Sequence, residues 1–275
     1  MRPLLILTIL PALLSAVPAL EIVSPILSQM DGGAPDPPGF EHGAGEVIFF
    51  SCRVAGYTKS PDEQIQLRYS VQAFDPQGVP LDEIYQNEMK VEWSPKDKNW
   101  QPKIATSLEL PPLAPPGAYK ILVKVEDVLA KSNAELAFPF QVRGHAVEAS
   151  DTLVVRNFRF FHDENGTQPL EKGLYHPGQG VWARFDITGF KFGPNNKFDV
   201  DYGLAILDSS DHQVFSQPSA ASDSNASFYP QRYVPGALSL NLDPNVPKGD
   251  YTLAITIRDK IANQTFEARQ KFQIE

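Results

Sequence analysis

Short segments in which hydrophobic and polar residues alternate recur along most of the chain, and this period of two predicts β-strands. Two segments show it most clearly, with apolar residues at every second position: Ile48, Phe50, Cys52 and Val54, then Ile65, Leu67, Tyr69, Val71 and Ala73. No stretch has a convincing apolar period of 3.6 residues. Proline is abundant, with 25 among 275 residues, and is spread along the chain. Because proline interrupts helices, we expect many short strands and little helix.

The chain also contains an internal repeat. Residues 115–142 align without a gap with residues 247–274, and eight of these 28 positions are identical, among them Tyr119 with Tyr251 and Asp127 with Asp259. An independent block recurs one residue further apart, where Gly56, Pro61, Tyr69 and Asp75 match Gly189, Pro194, Tyr202 and Asp208. We therefore predict two copies of one module, at residues 20–143 and 150–275, after a signal peptide at residues 1–19.

The alternating rows of the first copy have apolar counterparts in the second. The two rows named above match Val181, Ala183, Phe185 and Ile187, and Phe198, Val200, Tyr202, Leu204 and Ile206. Two later rows also recur, on the strands that begin near Tyr119 and Tyr251 and on the last strand of each copy. Four apolar rows in each copy need two facing sheets to bury them. The predicted fold class is all-β, with two tandem immunoglobulin-like antiparallel β-sandwich domains of seven or eight strands each.

A short pattern occurs once in each copy: proline or glycine, then tyrosine, an alternating strand and an aspartate. It runs from Gly117-Ala118-Tyr119 to Asp127 and from Gly249-Asp250-Tyr251 to Asp259. This pattern resembles that of bacterial immunoglobulin-like and fibronectin type III-like modules. The resemblance covers both modules and implies a secreted β-sandwich protein. It also implies a tyrosine corner, in which Tyr119 and Tyr251 bond back to the preceding loop. The chain departs from antibody-type domains because it lacks their paired cysteines. We expect Asp127 and Asp259 to cap the turns that follow their strands.

The N-terminal residues have the layout of a secretory signal peptide. Arg2 is followed by an apolar run from Pro3 to Leu14 and by small residues up to Ala19, after which we expect cleavage. An uncleaved anchor is the alternative, although the run is short for a membrane span. No second long apolar segment follows, so we expect no membrane span in the mature chain. The predicted location is outside the cytoplasm, in the periplasm or the extracellular space.

Charge and cysteine content narrow the possible functions. The formal net charge is -9, with a pI near 5.1, so no broad basic surface is expected and nucleic-acid binding is not predicted. Loss of Arg2 with the signal peptide leaves 23 basic and 33 acidic residues. The single cysteine, Cys52, falls in an inward row opposite Phe185 of the second copy. We therefore interpret it as an inert core residue with a structural role.

No motif for catalysis or for a cofactor is present in the sequence. GxSxG, a phosphate-binding loop and HExxH are all missing, so the chain is not predicted to be an enzyme, to bind a metal or to carry a cofactor. The five histidines are dispersed, and we expect structural or solvent-facing roles for them. Acidic clusters such as Asp199 and Asp201 would suit calcium, but their strand and turn positions favour a solvated surface.

Aromatic residues give the candidate binding surface. Phe49 and Trp182 are repeat equivalents at outward positions of one strand, and Trp93 and Trp100 lie in a divergent segment of the first copy. These four residues could pack against a neighbouring module, or contact a protein or a sugar ring. The leading hypothesis is an exported, non-enzymatic binding or structural protein that engages a protein or cell-envelope component through sandwich surfaces. The alternatives are a carbohydrate-binding accessory protein and a periplasmic two-domain assembly chaperone.

Overall fold

The computed structural model of the chain describes residues 19–94, 96 and 99–275. The predicted signal peptide falls on residues 1–18 and the adjoining Ala19, and residues 1–18 lie outside the described part. Within the described ranges, all regular structure is strand except one turn of 3-10 helix at Pro194–Asn196. No helix there is long and apolar enough to cross a membrane. The prediction of an all-β fold is confirmed.

The first eight strands form two sheets, which we call module 1. One sheet has the order β1-β3-β6, and the other has the order β2-β8-β7-β4-β5. The pairs are antiparallel apart from the short parallel pair of β2 with β8. The bounds are β1 Glu21–Ser28, β2 Glu41–Gly43, β3 Val47–Ala55, β4 Gln64–Phe74, β5 Tyr85–Glu92, β6 Lys103–Glu109, β7 Gly117–Asp127 and β8 Ser132–Arg143.

The next eight strands repeat this arrangement and form module 2. Its sheets have the orders β9-β11-β14 and β10-β16-β15-β12-β13, which match module 1 strand for strand. The sequence prediction of seven or eight strands per copy is therefore confirmed at eight. The bounds are β9 Val154–Phe161, β10 Leu174–Tyr175, β11 Gly180–Thr188, β12 Phe198–Leu207, β13 Gln213–Asn225, β14 Tyr233–Asn241, β15 Gly249–Asp259 and β16 Gln264–Ile274.

The alternating rows of the sequence supply the core between the two sheets of each module. On β3 and β11 the residues at every second position are buried, from Ile48 to Val54 and from Val181 to Ile187. The rows of β7 and β15 face them from the opposite sheet and are buried as well. Each module therefore has its own hydrophobic core, because period-two alternation turns one face of each strand inward.

Candidate functional site

Asp127 and Asp259 tie the end of one strand to a distant loop in each module. Oδ1 of Asp127 accepts hydrogen bonds from the backbone amides of Leu129 and Ala130, at 3.0 and 3.1 Å, and Oδ2 accepts one from the amide of Thr58 at 2.6 Å. The carboxylate of Asp259 makes three equivalent bonds in module 2, to the amides of Lys191, Ile261 and Ala262. Both carboxylates are buried and hold the ends of β7 and β15.

The tyrosines at the start of β7 and β15 make the same bond to the backbone four residues earlier. The hydroxyl of Tyr119 donates to the carbonyl of Pro115 at 2.7 Å, and that of Tyr251 donates to the carbonyl of Pro247 at 2.8 Å. Burial raises the pKa of Tyr119 to about 12. The geometry is that of a tyrosine corner, in which a buried hydroxyl satisfies a loop carbonyl.

Cys52 lies in the core of module 1 and is 1% exposed. Burial raises the pKa of its thiol to about 12, so the thiol stays protonated near neutral pH. The equivalent position of module 2 holds Phe185, which is also buried. A protonated and inaccessible thiol is a poor nucleophile and a poor metal ligand.

The two modules meet at a buried carboxylate. Asp75, in the turn after β4, is fully buried, and its Oδ2 accepts a hydrogen bond from the hydroxyl of Tyr229 of module 2 at 2.9 Å. The guanidinium of Arg232 forms an ion pair with the same oxygen. Oδ1 of Asp75 accepts hydrogen bonds from the backbone amides of Gln77 and Val79, at 2.8 Å each. We call this set of contacts the intermodule joint.

Tyr229 is part of the core of module 1, although in the sequence it lies between two strands of module 2. It is 6% exposed and packs with the buried apolar residues of module 1. Desolvation raises its pKa well above its usual value. Tyr229 and Arg232 were not predicted from the sequence, because they lie in the connection between β13 and β14, where no repeat match or motif marks them. What the sequence does show is an aromatic and a basic residue three positions apart.

The segment between the modules is fixed to module 2 by a second buried carboxylate. Oδ2 of Asp186, an outward residue of β11, lies 2.7 Å from Nε2 of His145 and accepts a bond from Nδ2 of Asn157 at 2.8 Å. Asn157 also donates to the carbonyl of Ala146 at 3.1 Å. Asp186 is 5% exposed. The connection between β8 and β9 is thus bonded to the module that follows it.

The four aromatic candidates do not form one surface. Phe49 and Trp182 are half-buried on β3 and β11, equivalent strands of different modules. Phe49 lines a shallow groove on the outside of the small sheet of module 1, which includes Gly32 and Gly33. Trp182 lies beside Gly180. A Cβ atom placed on Gly180 would lie 3.2 Å from the indole nitrogen of Trp182. Neither ring lies in an open aromatic patch.

Trp93 and Trp100 lie near each other in the chain and have different environments. Trp93 is half-buried against the core of module 1, and the ammonium of Lys59 lies 3.0 Å from the centre of its ring. Trp100 is 37% exposed, and its carbonyl accepts the hydroxyl of Tyr57 at 2.8 Å. Trp93 thus packs against the core and contacts a cation, and Trp100 is the more exposed of the two rings.

The prediction of a solvated acidic surface is wrong for Asp201. This residue is 8% exposed, and its carboxylate contacts Arg258 at 2.5 Å and Lys260 at 3.0 Å. Arg258 is its direct cross-strand partner on β15, so the pairing of two strands covers a carboxylate that alternation alone left exposed. In the part of the chain that the structure describes, no three histidine, cysteine or acidic side chains are grouped to hold a metal.

The sheet edges differ in the way that they meet solvent. β13 is the outermost strand of the large sheet of module 2, and most of its residues are exposed. Val214 and Phe215 are 57% and 40% exposed, and the only charged residue of the strand is Asp223. The equivalent edge in module 1, β5, carries Glu88, Lys90 and Glu92. Charged residues protect an edge against pairing with another strand, and β5 has them, whereas β13 has none before Asp223. The first half of β13 does contain Pro218 and a register shift beside Val214, so the stretch available for pairing is short, from Gln213 to Gln217.

Comparisons with known proteins return no family. No protein-family model matches the chain, and no curated protein matches it. The solved structures similar to it include the C-terminal domain of the antigen I/II-family protein AspA of Streptococcus pyogenes, at 12% identity, a TM-score of 0.31, and coverage of 92% of this chain and 99% of that one. Another is the C-terminal domain of the AgI/II polypeptide BspA of Streptococcus agalactiae, at 9% identity, a TM-score of 0.30, and coverage of 92% and 100%. TM-scores this low support no conclusion about the function or the partners of this chain.

Proposed function

We propose that the chain is an exported, non-enzymatic binding protein, and that its partner is a protein that pairs with the free edge of β13. The observation that supports the proposal is the uncharged edge from Gln213 to Gln217, with Val214 and Phe215 exposed on a strand that pairs with β12 on one side only. An extended segment can complete such an edge through main-chain hydrogen bonds, while the exposed apolar side chains add contact area. The two modules would act as the scaffold that presents this edge.

The joint and the Asp186 contacts support the scaffold part of the proposal. Asp75 binds two side chains of module 2, and Asp186 binds the connecting segment. These bonds are formed by buried carboxylates, which are costly to leave without partners. A scaffold whose modules are joined in this way would present β13 in one orientation relative to module 1.

The carbohydrate-binding alternative has less support. Sugar rings stack on an open aromatic face, whereas the ring of Trp93 is packed against the core and contacts Lys59. Trp100 has a partly open ring, but none of the other three candidates is placed beside it in the described part of the chain. Loss of a glycan-array signal in Trp100→Ala would support this alternative over β13 pairing.

Affinity capture from a native envelope extract tests the proposal. The baits would be the wild-type chain, the double variant Val214→Lys with Phe215→Lys, and the control Gln86→Lys on the β5 edge. We expect one protein to be captured by wild type and control, and its capture by the double variant to fall at least about tenfold, because added lysines block strand pairing. With the captured protein bound, hydrogen exchange should slow at the β13 amides.

Two results would contradict the proposal. The first is capture of the same protein in equal amount by all three baits. The second is hydrogen-exchange protection at sites other than β13. Thermal unfolding of each bait, measured beforehand, establishes that the compared chains are equally folded.

A further inference from the structure

The aspartate of the joint and the tyrosine corner of module 1 both recur in module 2. By repeat position, Asp75, Pro115 and Tyr119 correspond to Asp208, Pro247 and Tyr251. The tyrosine-to-proline bond is present in both modules. Gly117 and Gly249, which begin β7 and β15, have the same backbone φ of 147°, so the backbone takes the same course at both places.

The two aspartates also hold their turns in the same way. Oδ1 of Asp208 accepts the amides of Ser210 and His212 at 2.8 and 3.0 Å, as Oδ1 of Asp75 accepts the amides two and four residues further on. The difference lies at the other oxygen. Oδ2 of Asp75 binds Tyr229 and Arg232, whereas Oδ2 of Asp208 lies 3.6 Å from Nδ1 of His212, whose side chain is 80% exposed.

In module 2 the space beside this aspartate is open. A cavity of about 300 Å³ lies there, and we call it the module 2 pocket. Its apolar wall is formed by Val214, Val246 and Pro247, and Asp208 and Asp250 lie at its polar side with Lys248. The side chain of Asp208 is 33% exposed, against 0% for Asp75. The pocket thus has the carboxylate and the tyrosine corner of the joint without the side chains that cover them in module 1.

We propose that the module 2 pocket binds a loop of a partner protein that presents a tyrosine and an arginine three residues apart, as module 1 binds Tyr229 and Arg232. The apolar wall would receive the tyrosine ring, and Oδ2 of Asp208 would accept the hydroxyl and pair with the guanidinium. A carboxylate oxygen whose neighbour is an exposed histidine at 3.6 Å can also approach an arginine, to which it is complementary in charge. This surface shares Val214 with the proposed pairing edge of β13, but it binds through the carboxylate of Asp208 and not through strand pairing.

The test uses a cyclic peptide with the sequence SFYPQRY, which is residues 227–233 of this chain, added to the full-length protein. Binding is followed by amide chemical shifts of the 15N-labelled protein. We expect saturable shifts at residues 208–211 and 249–251, with a dissociation constant on the order of 1 mM or lower. Asp208→Asn should weaken binding at least about tenfold, and so should the peptide with glutamine in place of arginine.

Asp163→Asn is the matched control, because this aspartate also caps a turn, through the amide of Asn165 at 3.0 Å, and does not line the pocket. It should leave binding unchanged. Three results would overturn the proposal: no saturable shifts at the pocket with about 5 mM peptide, equal binding to Asp208→Asn, or shifts confined to module 1 or to β13. Asp208→Asn lies outside β13 and leaves its edge residues unchanged, so failure of the pocket proposal does not imply failure of strand pairing.

Discussion

The hydroxyl of Tyr229 lies 2.9 Å from Oδ2 of Asp75, so a side chain of module 2 donates a hydrogen bond inside module 1. Arg232 pairs with the same oxygen and has a side chain that is 32% exposed. A buried carboxylate needs such partners, because its desolvation is otherwise uncompensated. This pair of residues therefore couples the stability of module 1 to the position of module 2.

Asp75→Asn is expected to loosen the joint. The asparagine oxygen can still accept the amides of Gln77 and Val79, but the charge opposite Arg232 is lost, so the free energy of unfolding of module 1 should fall by about 2 kcal/mol. Urea unfolding measures the loss, and small-angle scattering should show a wider spread of intermodule orientations. Asp208→Asn, which removes an equivalent charge without an intermodule partner, should change neither quantity appreciably. Equal effects of both variants would refute the role of the joint.

Asp127→Ala is expected to destabilise module 1 more than most single substitutions. It removes the acceptor of three backbone amides from a site with 0% exposure, so the free energy of unfolding should fall by about 3 kcal/mol or more. Asp259→Ala should have a similar effect on module 2. Asp62→Ala, at an exposed turn position, serves as the control and should change stability little. A loss below about 1 kcal/mol in Asp127→Ala would contradict the capping role.

His42 should make the stability of module 1 depend on pH. Burial lowers the pKa of its imidazole below 6.5, and the nearby carboxylates of Asp36 and Glu46 oppose this only in part. The unfolded chain therefore takes up the proton first as the pH falls. The contribution of a neutral His42 is fully present above pH 6.5 and is lost as the pH falls through the lower folded-state pKa.

Urea unfolding from pH 7.5 to 5.0 measures this dependence. The decline of stability below pH 6.5 should be shallower in His42→Gln than in the wild type, because glutamine does not titrate. His212→Gln, at an exposed histidine, is the control and should keep the wild-type slope. Equal slopes in all three proteins would show that His42 does not set the dependence.

Cys52 should resist alkylation in the folded protein. Its thiol is buried and its pKa is raised to about 12, so iodoacetamide at pH 8 should label it only through unfolding. Mass spectrometry would follow the reaction in buffer and in concentrated urea, and labelling should be at least about a hundredfold faster in urea. Rapid labelling in buffer by a chain that remains folded would contradict burial of the thiol.

Much of the fold follows from local patterns in the sequence. Alternation from Ile48 to Val54 predicts a buried row because successive side chains of a strand point to opposite faces, and that row is buried. The repeat predicts a second sandwich, since matched rows need matched sheets. The bonds of Tyr119 to Pro115 and of Asp127 to the amides of the following turn are of the same kind, because they connect residues two to four positions apart. The bond of Asp127 to the amide of Thr58 joins residues that are distant in the chain, and the sequence did not predict it.

The candidate surfaces could not be predicted in the same way. Asp75 and Asp208 occupy equivalent positions and hold equivalent turns, yet one is buried at the joint and the other borders an open pocket. Asp201 has the sequence signature of a solvated residue, but its cross-strand neighbour Arg258 covers it. In both cases the residues that decide the outcome are distant in the chain, and the local sequence pattern does not show which distant residues will make contact.

The sequence by itself thus determined the all-β class, the duplication, the inward rows and the residues that hold the strand ends, because each depends on the period of a strand or on a turn. Only the tertiary structure decided which of two equivalent carboxylates is covered, how the connecting segment is bonded to Asp186, and which sheet edge lacks charge protection. Those features depend on contacts between segments that are distant in the chain, and such contacts exist only after both sandwiches have folded and packed together.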